Sequence, residues 1–197
     1  MIRTLATAAT FAFAIALPAL AQDAPPMTPE QQAMMQAYIA AGTPGRQHAD
    51  LASSVGEYDL AIRGWDAPGA PPTNDKGTAT RSMILGGRVL VEQVQSSMHG
   101  QAFTGHGMVG YDNVSGKWWQ TWNDSMSTGI AVSQGDCDEH DACTFKGSWN
   151  DPVTKKAVDA RFTSRWTSPD TQSVEMYGPG ADGKEFKMME MTYTRKK

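Results

Sequence analysis

The chain has 197 residues, a formal net charge of −4 at pH 7, two cysteines and four histidines. Such a length gives one domain with a substantial core even after a leader is removed. The mildly acidic balance leaves no electrostatic basis for nucleic-acid binding, which selects for basic surfaces.

The first residues, MIRTLATAATFAFAIALPALAQ, join a positive start at Arg3 to an apolar run from about Leu5 to Leu17 and the small-residue pattern Ala19-Leu20-Ala21. This reads as a secretory signal peptide over residues 1–21, with a mature start near Gln22 and a periplasmic or secreted location. The run is shorter than the roughly 20 residues of a bilayer span, and no cysteine follows to carry a lipid, so no membrane span is expected.

Residues 22–55 form a Pro-rich segment and a helical arm. In TPEQQAMMQAYIAAG, Thr28 is placed as N-cap, Pro29 in the first turn and Gln31 at the capping-box position, with Gly42 as the stop. A second helix is expected over about Gly45 to Ser53. Met34, Met35 and Tyr38 make an apolar stripe that either docks a partner or packs on the end of the domain.

Residues 56–197 change texture. Short alternating runs rich in Val, Thr, Trp, Tyr and Phe are broken by Gly, Pro, Asn and Asp, the pattern of an antiparallel sheet. About ten strands are expected, near 57–65, 77–85, 88–98, 103–111, 117–123, 128–135, 143–149, 156–167, 171–177 and 184–194. The breaks LGGR, DNVSGK, NDPVTK, SPDT and GPGADGK carry tight-turn residues, and no run resembles a crossover helix. Ten sequential strands stack as a sandwich or close on themselves. Closure removes exposed edges, so the fold class is all-β, an up-and-down antiparallel barrel with two short N-terminal helices.

Within that frame, GYDNVSGKWWQTWNDSMSTG places three of the six tryptophans beside small polar groups. Alternation sets Trp118, Gln120, Trp122 and Asp124 on one face, which is placed inward with Trp122 as a wall. The plainer alternative makes Trp122 core and Asp124 a turn cap. In RFTSRW, Arg161 shares a face with Thr163 and Arg165. In FKMMEMTY, Glu190 interrupts an apolar stripe formed with Phe186, Met188 and Thr192. An interior could pair Glu190 and Glu175 with Arg81 or Arg161, and the competing reading is a surface ladder of cross-strand ion pairs.

Cys137 and Cys143, in GDCDEHDACTF, are the available pair, and in an oxidising compartment they are expected to form a disulfide stapling a turn. A metal site using Asp138 and His140 with the cysteines is weaker, because no second ligand pair stands elsewhere at zinc-like spacing. His48, His99 and His106, even with Met98 and Met108 nearby, lack a copper or haem signature, so no metal and no cofactor is expected. Nucleophile elbow, phosphate loop, dinucleotide fingerprint and paired-His helix are missing from the text.

The blocks GTATRSMILGGR, GYDNVSGKWWQTWNDSMSTG and GADGKEFKMMEMTYTRK resemble the signature segments of bacterial domain-of-unknown-function family 1579. The resemblance spans roughly residues 45–197 and implies a calycin-like barrel with no established activity. It places the family pattern on Arg81, Gly86, Gly87, Gly110, Tyr111, Asp112, Trp122, Asp124, Thr128, Glu175, Glu190 and Tyr193. The cysteine loop departs from it. The residues together point to a barrel that binds a small, partly apolar molecule, with Arg81, Trp122, Asp124, Thr128, Arg161, Glu175 and Glu190 as candidate contacts. The alternatives are an enzyme using Asp124 or Glu190 as general base, and a solid interaction barrel whose helical arm meets a partner.

Overall fold

The computed structural model describes residues 26–98 and 100–197, so the expected leader and His99 lie outside the described residues. Thr28 caps the first helix as its sequence requires. Its hydroxyl accepts from Gln31 N, while Gln31 Oε1 accepts from Thr28 N at 2.8 Å, closing a capping box ahead of α1 (Pro29–Gly42). The helix ends at Thr43 in an extended conformation and not on a left-handed glycine. A second helix, α2 (Arg46–Ser53), buries His48 and Leu51.

Ten strands follow: β1 (Gly56–Gly64), β2 (Thr73–Ile84), β3 (Val89–Met98), β4 (Gln101–Asp112), β5 (Lys117–Asp124), β6 (Ala131–Cys137), β7 (Cys143–Asn150), β8 (Ala157–Ser168), β9 (Thr171–Pro179) and β10 (Glu185–Arg195). Each pairs antiparallel with its sequence neighbours, and β1 pairs with β10, so the sheet is a closed barrel. This is the up-and-down architecture that the alternating runs predict. The two largest boundary differences are at β2, which starts at Thr73 in a polar stretch, and at β6, which starts at Ala131 and leaves the SMSTGI segment as a loop.

The register decides what faces inward. Tyr58, Leu60 and Ile62 of β1, Ala79 of β2, Val94 of β3 and Met191 and Tyr193 of β10 line up across paired strands, and they pack with Phe103, Trp122, Trp166 and Val174. Small residues make room for the large ones. A Cβ at Gly105 would overlap the indole of Trp122, and one at Gly107 would meet the same ring at 3.1 Å, so two glycines on β4 form the flat seat for a tryptophan on β5.

The chain passes from α2 directly into β1, which puts α2 at the barrel end carrying the β2–β3, β4–β5, β6–β7 and β8–β9 turns. There α2 packs against β2, β3 and β4, and Leu51 and Ser54 look into the barrel. By contrast α1 buries no residue, and Met34, Met35, Tyr38 and Ile39 are all exposed. The stripe therefore does not pack on the barrel end. Arg88 Nε donates to Gly42 O at 2.8 Å, and Asn113 Nδ2 donates to Ala41 O and Thr43 O at 3.0 and 2.8 Å, tethering the C-terminal end of α1. Removing the residues before Gly42 is expected to change the unfolding free energy by less than about 1 kcal/mol, since little apolar area is lost and the hydrogen bonds from Asn113 and Thr43 that go with it are exposed. Urea unfolding of the shortened chain checks this, and a large fall in midpoint would show packing that the exposed helix does not reveal.

Candidate functional site

Inside the barrel lies a cavity of about 1040 Å³. Its wall is mostly apolar: Leu90, Phe103, Val109, Trp122, Phe145, Trp149, Phe162, Trp166, Val174, Met176 and Met191 all contribute. Polar groups gather at two levels, one on the floor near α2 and one toward the opposite, open end.

The floor cluster is built around Arg81. Opposite it across the β2–β3 register stands Glu92, whose Oε2 accepts from Arg81 Nε. Arg81 Nη1 donates to Gln172 Oε1 at 2.8 Å, and the hydroxyl of Tyr193 donates to Glu92 Oε1 at 3.1 Å. The guanidinium lies over the rings of Tyr58 and Tyr193, 4.9 and 4.4 Å from their centroids. Arg81 is 7% exposed and Glu92 13%, so this is a nearly dry ion pair. Burial opposes the charge on Arg81, but the Glu92 carboxylate, joined by Tyr193 and Tyr58, more than offsets it and holds the guanidinium pKa above its ordinary value.

Burial, joined by the negative charge of Glu92, raises the phenol pKa of Tyr193. A raised phenol pKa contributes stability that is complete below the unfolded value of about 10 and is lost as the pH climbs through the folded value. Ultraviolet titration of the five tyrosines is expected to include one phenol that ionises together with loss of the far-UV signal. Tyr193→Phe should diminish that component, and an undiminished amplitude in the variant would contradict the assignment.

Toward the open end, Trp122 Nε1 donates to Asp124 Oδ2 and Met126 N donates to Asp124 Oδ1, both at 2.9 Å. Trp122 is thus a cavity wall and a core residue at once, while Asp124 lines the cavity and also caps the turn. Each of its oxygens accepts one hydrogen bond, which anchors the carboxylate in the wall. Asp75 and Ser97, joined by a 2.8 Å hydrogen bond, add polarity to the wall.

Four other candidates fall elsewhere. Thr128 is exposed on the β5–β6 loop, outside the cavity lining, because β6 begins three residues later. Arg161 lies on the outer surface, since its neighbours Phe162 and Ser164 take the inward positions of β8. It pairs with Glu185 at 2.7 Å and sits 3.9 Å over the Tyr177 ring. Glu175 is outward for the same reason, between inward Val174 and Met176. Its carboxylate accepts from Tyr177 at 2.7 Å and Lys187 at 3.0 Å, which hold its pKa below the usual range. Glu190 is turned outward by a β-bulge between Lys187 and Met189, and it meets Lys187 and Arg63. Glu175 and Glu190 therefore belong to an outer ladder of ion pairs, the reading that competed with interior burial.

Cys137 and Cys143 are directly opposed across β6 and β7 and form a disulfide, with both residues on the cavity lining near α2. Asp138 Oδ1 accepts from His140 N and Ala142 N, so the acidic loop between them organises its own turn. Among the described residues no group of three or more His, Cys, Asp or Glu side chains converges as a metal site. A disulfide fits an oxidising compartment, and no described helix is long and apolar enough to cross a membrane.

Glu92 and Gln172 are the floor residues that sequence reading misses. The signal was present for the first: in LVEQV, Glu92 stands two residues from both Leu90 and Val94 on an otherwise apolar face.

A family model described as "Protein of unknown function (DUF1579)" matches residues 43–195. Among solved structures, Rv2717c from M. tuberculosis superposes with a TM-score of 0.58 at 13% identity, covering 79% of this chain and all of that one. A redesigned beta barrel, b11L5F_LGL, gives a TM-score of 0.41 at 13% identity with the same coverage. The first likeness extends to the fold alone. No curated protein matches the chain.

Proposed function

Since the chain belongs to the DUF1579 family of proteins of unknown function, a membership that carries no activity, we propose from the geometry that it is an exported barrel that binds a small, partly apolar molecule. The observation that carries this reading is the cavity of about 1040 Å³, walled by aromatic and aliphatic side chains, with polar groups confined to its floor and its open end. Ligand sites combine a large apolar surface with few convergent polar groups in this way. The internal disulfide and the leader-like N-terminus support export, and residues 56–197 supply the binding unit.

Nile red, an uncharged dye whose emission rises in apolar surroundings, is the first probe. The protein is expected to bind it with enhanced, blue-shifted emission, and a concentration one hundred times Kd should stabilise the fold by about 2.7 kcal/mol. Ala131 lies on the cavity lining directly opposite Trp122, so Ala131→Trp should crowd the space beside the wall and weaken binding while the fold persists. Absence of dye binding, or undiminished binding by the folded variant, would refute the reading.

A further inference from the structure

The floor cluster has spare hydrogen-bonding capacity of one sign. Arg81 uses Nε on Glu92 and Nη1 on Gln172, no hydrogen bond from its Nη2 is found among the described residues, and the Tyr193 hydroxyl lies beside the guanidinium. Every fully enclosed side-chain nitrogen or oxygen among those residues has a partner, so Nη2, on a side chain more than nine-tenths buried, opens on the cavity. The same argument applies to Gln172: its Oε1 is taken by Arg81, while its Nε2 has no partner and the residue lines the cavity. Two sets of N–H donors therefore stand on adjoining side chains at the floor.

The charge there is already balanced. Glu92 neutralises Arg81 at contact distance. Arg195, the other cation lining this end, is engaged by the carbonyls of Ser53 and Val55 and lies 3.7 Å from Asp170. Asp50 also lines the cavity near α2. A ligand carboxylate at Nη2 would bring a second negative charge beside Glu92 in a dry site without a cation to balance it, which is costly. An uncharged carbonyl accepts the same hydrogen bonds without that cost.

Building on the binding role proposed above, the structure assigns the ligand class: an elongated apolar molecule whose leading end carries an uncharged carbonyl, as in an ester or amide, held by Arg81 Nη2 and Gln172 Nε2. Glu92 acts as the specificity residue, because its charge excludes the corresponding acid. Trp122 and the apolar wall take the chain.

A series with one hydrocarbon tail tests this: tetradecanamide, methyl tetradecanoate, tetradecanoate and tetradecane, titrated at pH 7.5 into the full mature protein and followed by tryptophan fluorescence. The amide and ester are expected to bind, with tetradecanoate and tetradecane each weaker by about tenfold or more. Glu92→Gln leaves the guanidinium unpaired and should invert the order, raising tetradecanoate affinity by about tenfold or more. Circular dichroism verifies that this variant is folded, and the wild-type series stands on its own if it is not. Equal affinities across the series would overturn the assignment while leaving the binding role intact. Preferential binding of tetradecanoate by the wild type would do the same, and so would an unchanged order in folded Glu92→Gln. Binding of none of the four would refute the assignment, and only failure of Nile red as well would remove the binding role beneath it.

Discussion

Arg81→Met is expected to lower the unfolding free energy by about 3–5 kcal/mol, because it leaves the carboxylate of Glu92 in a dry interior with the Tyr193 hydroxyl as its remaining partner. For a barrel of this size that is a fall in melting temperature of roughly 10 °C. The double variant Arg81→Met/Glu92→Leu removes both charges at similar volume and should recover most of the loss, as buried pairs replaced by apolar residues often do. Thermal unfolding of the single and double variants measures both the loss and its recovery. A single variant as stable as the wild type would mean that water reaches Glu92 and that the floor is wet.

Tyr58→Ala should cost a similar amount, about 3–5 kcal/mol, through the space left by a fully enclosed ring. Tyr58 sits between two guanidinium groups, those of Arg81 at 4.9 Å and Arg195 at 5.0 Å, and meets the Tyr193 ring edge-on at 6.0 Å. Its hydroxyl donates to Ser54 O at 2.7 Å, fastening the end of α2 to the first strand. Tyr58→Phe keeps the ring and loses that bond alone, so it should cost about 1 kcal/mol. Hydrogen exchange separates the two contributions: Tyr58→Phe should speed exchange in α2 with little change in the strands, whereas Tyr58→Ala should loosen both. Equal stability losses in the two variants would show that the hydroxyl, and not the ring, supplies the stabilisation.

The barrel was legible because its signals are local. Period-2 runs and turn residues locate ten strands, and the capping box of Thr28 and Gln31 locates α1. The inward placement of Trp122 and Asp124 follows from alternation, which β5 obeys along its length. Alternation misled at Glu190 for a physical reason: the bulge before Met189 adds one residue, so Met189, Met191 and Tyr193 take the inward positions and Glu190 turns out. The partnership of Arg81 with Gln172 joins residues 91 apart in sequence, and that of Tyr193 with Glu92 joins residues 101 apart. No local pattern encodes such pairs, because they arise from closure of the ring. Thr128 was misplaced because SMSTGI carries β-forming and loop-forming residues together, and the loop prevails up to Ile130.

That ring closes through β1 and β10, where Tyr58 faces Arg195 and Gly64 faces Met189. The seam joins the earliest strand to the latest, so the barrel has no complete state until its final strand has paired. Until then β1 has a single neighbour, β2, and its other edge stays open to pairing with another chain. Long-range pairing of this kind makes folding slow compared with helical domains, and it makes completion all-or-none with respect to the last strand. A stop codon before β10 would therefore yield a chain with two free sheet edges and a gap in the cavity wall, not a slightly weaker barrel, and proteolysis and aggregation would deplete it far more than the loss of one strand in ten suggests.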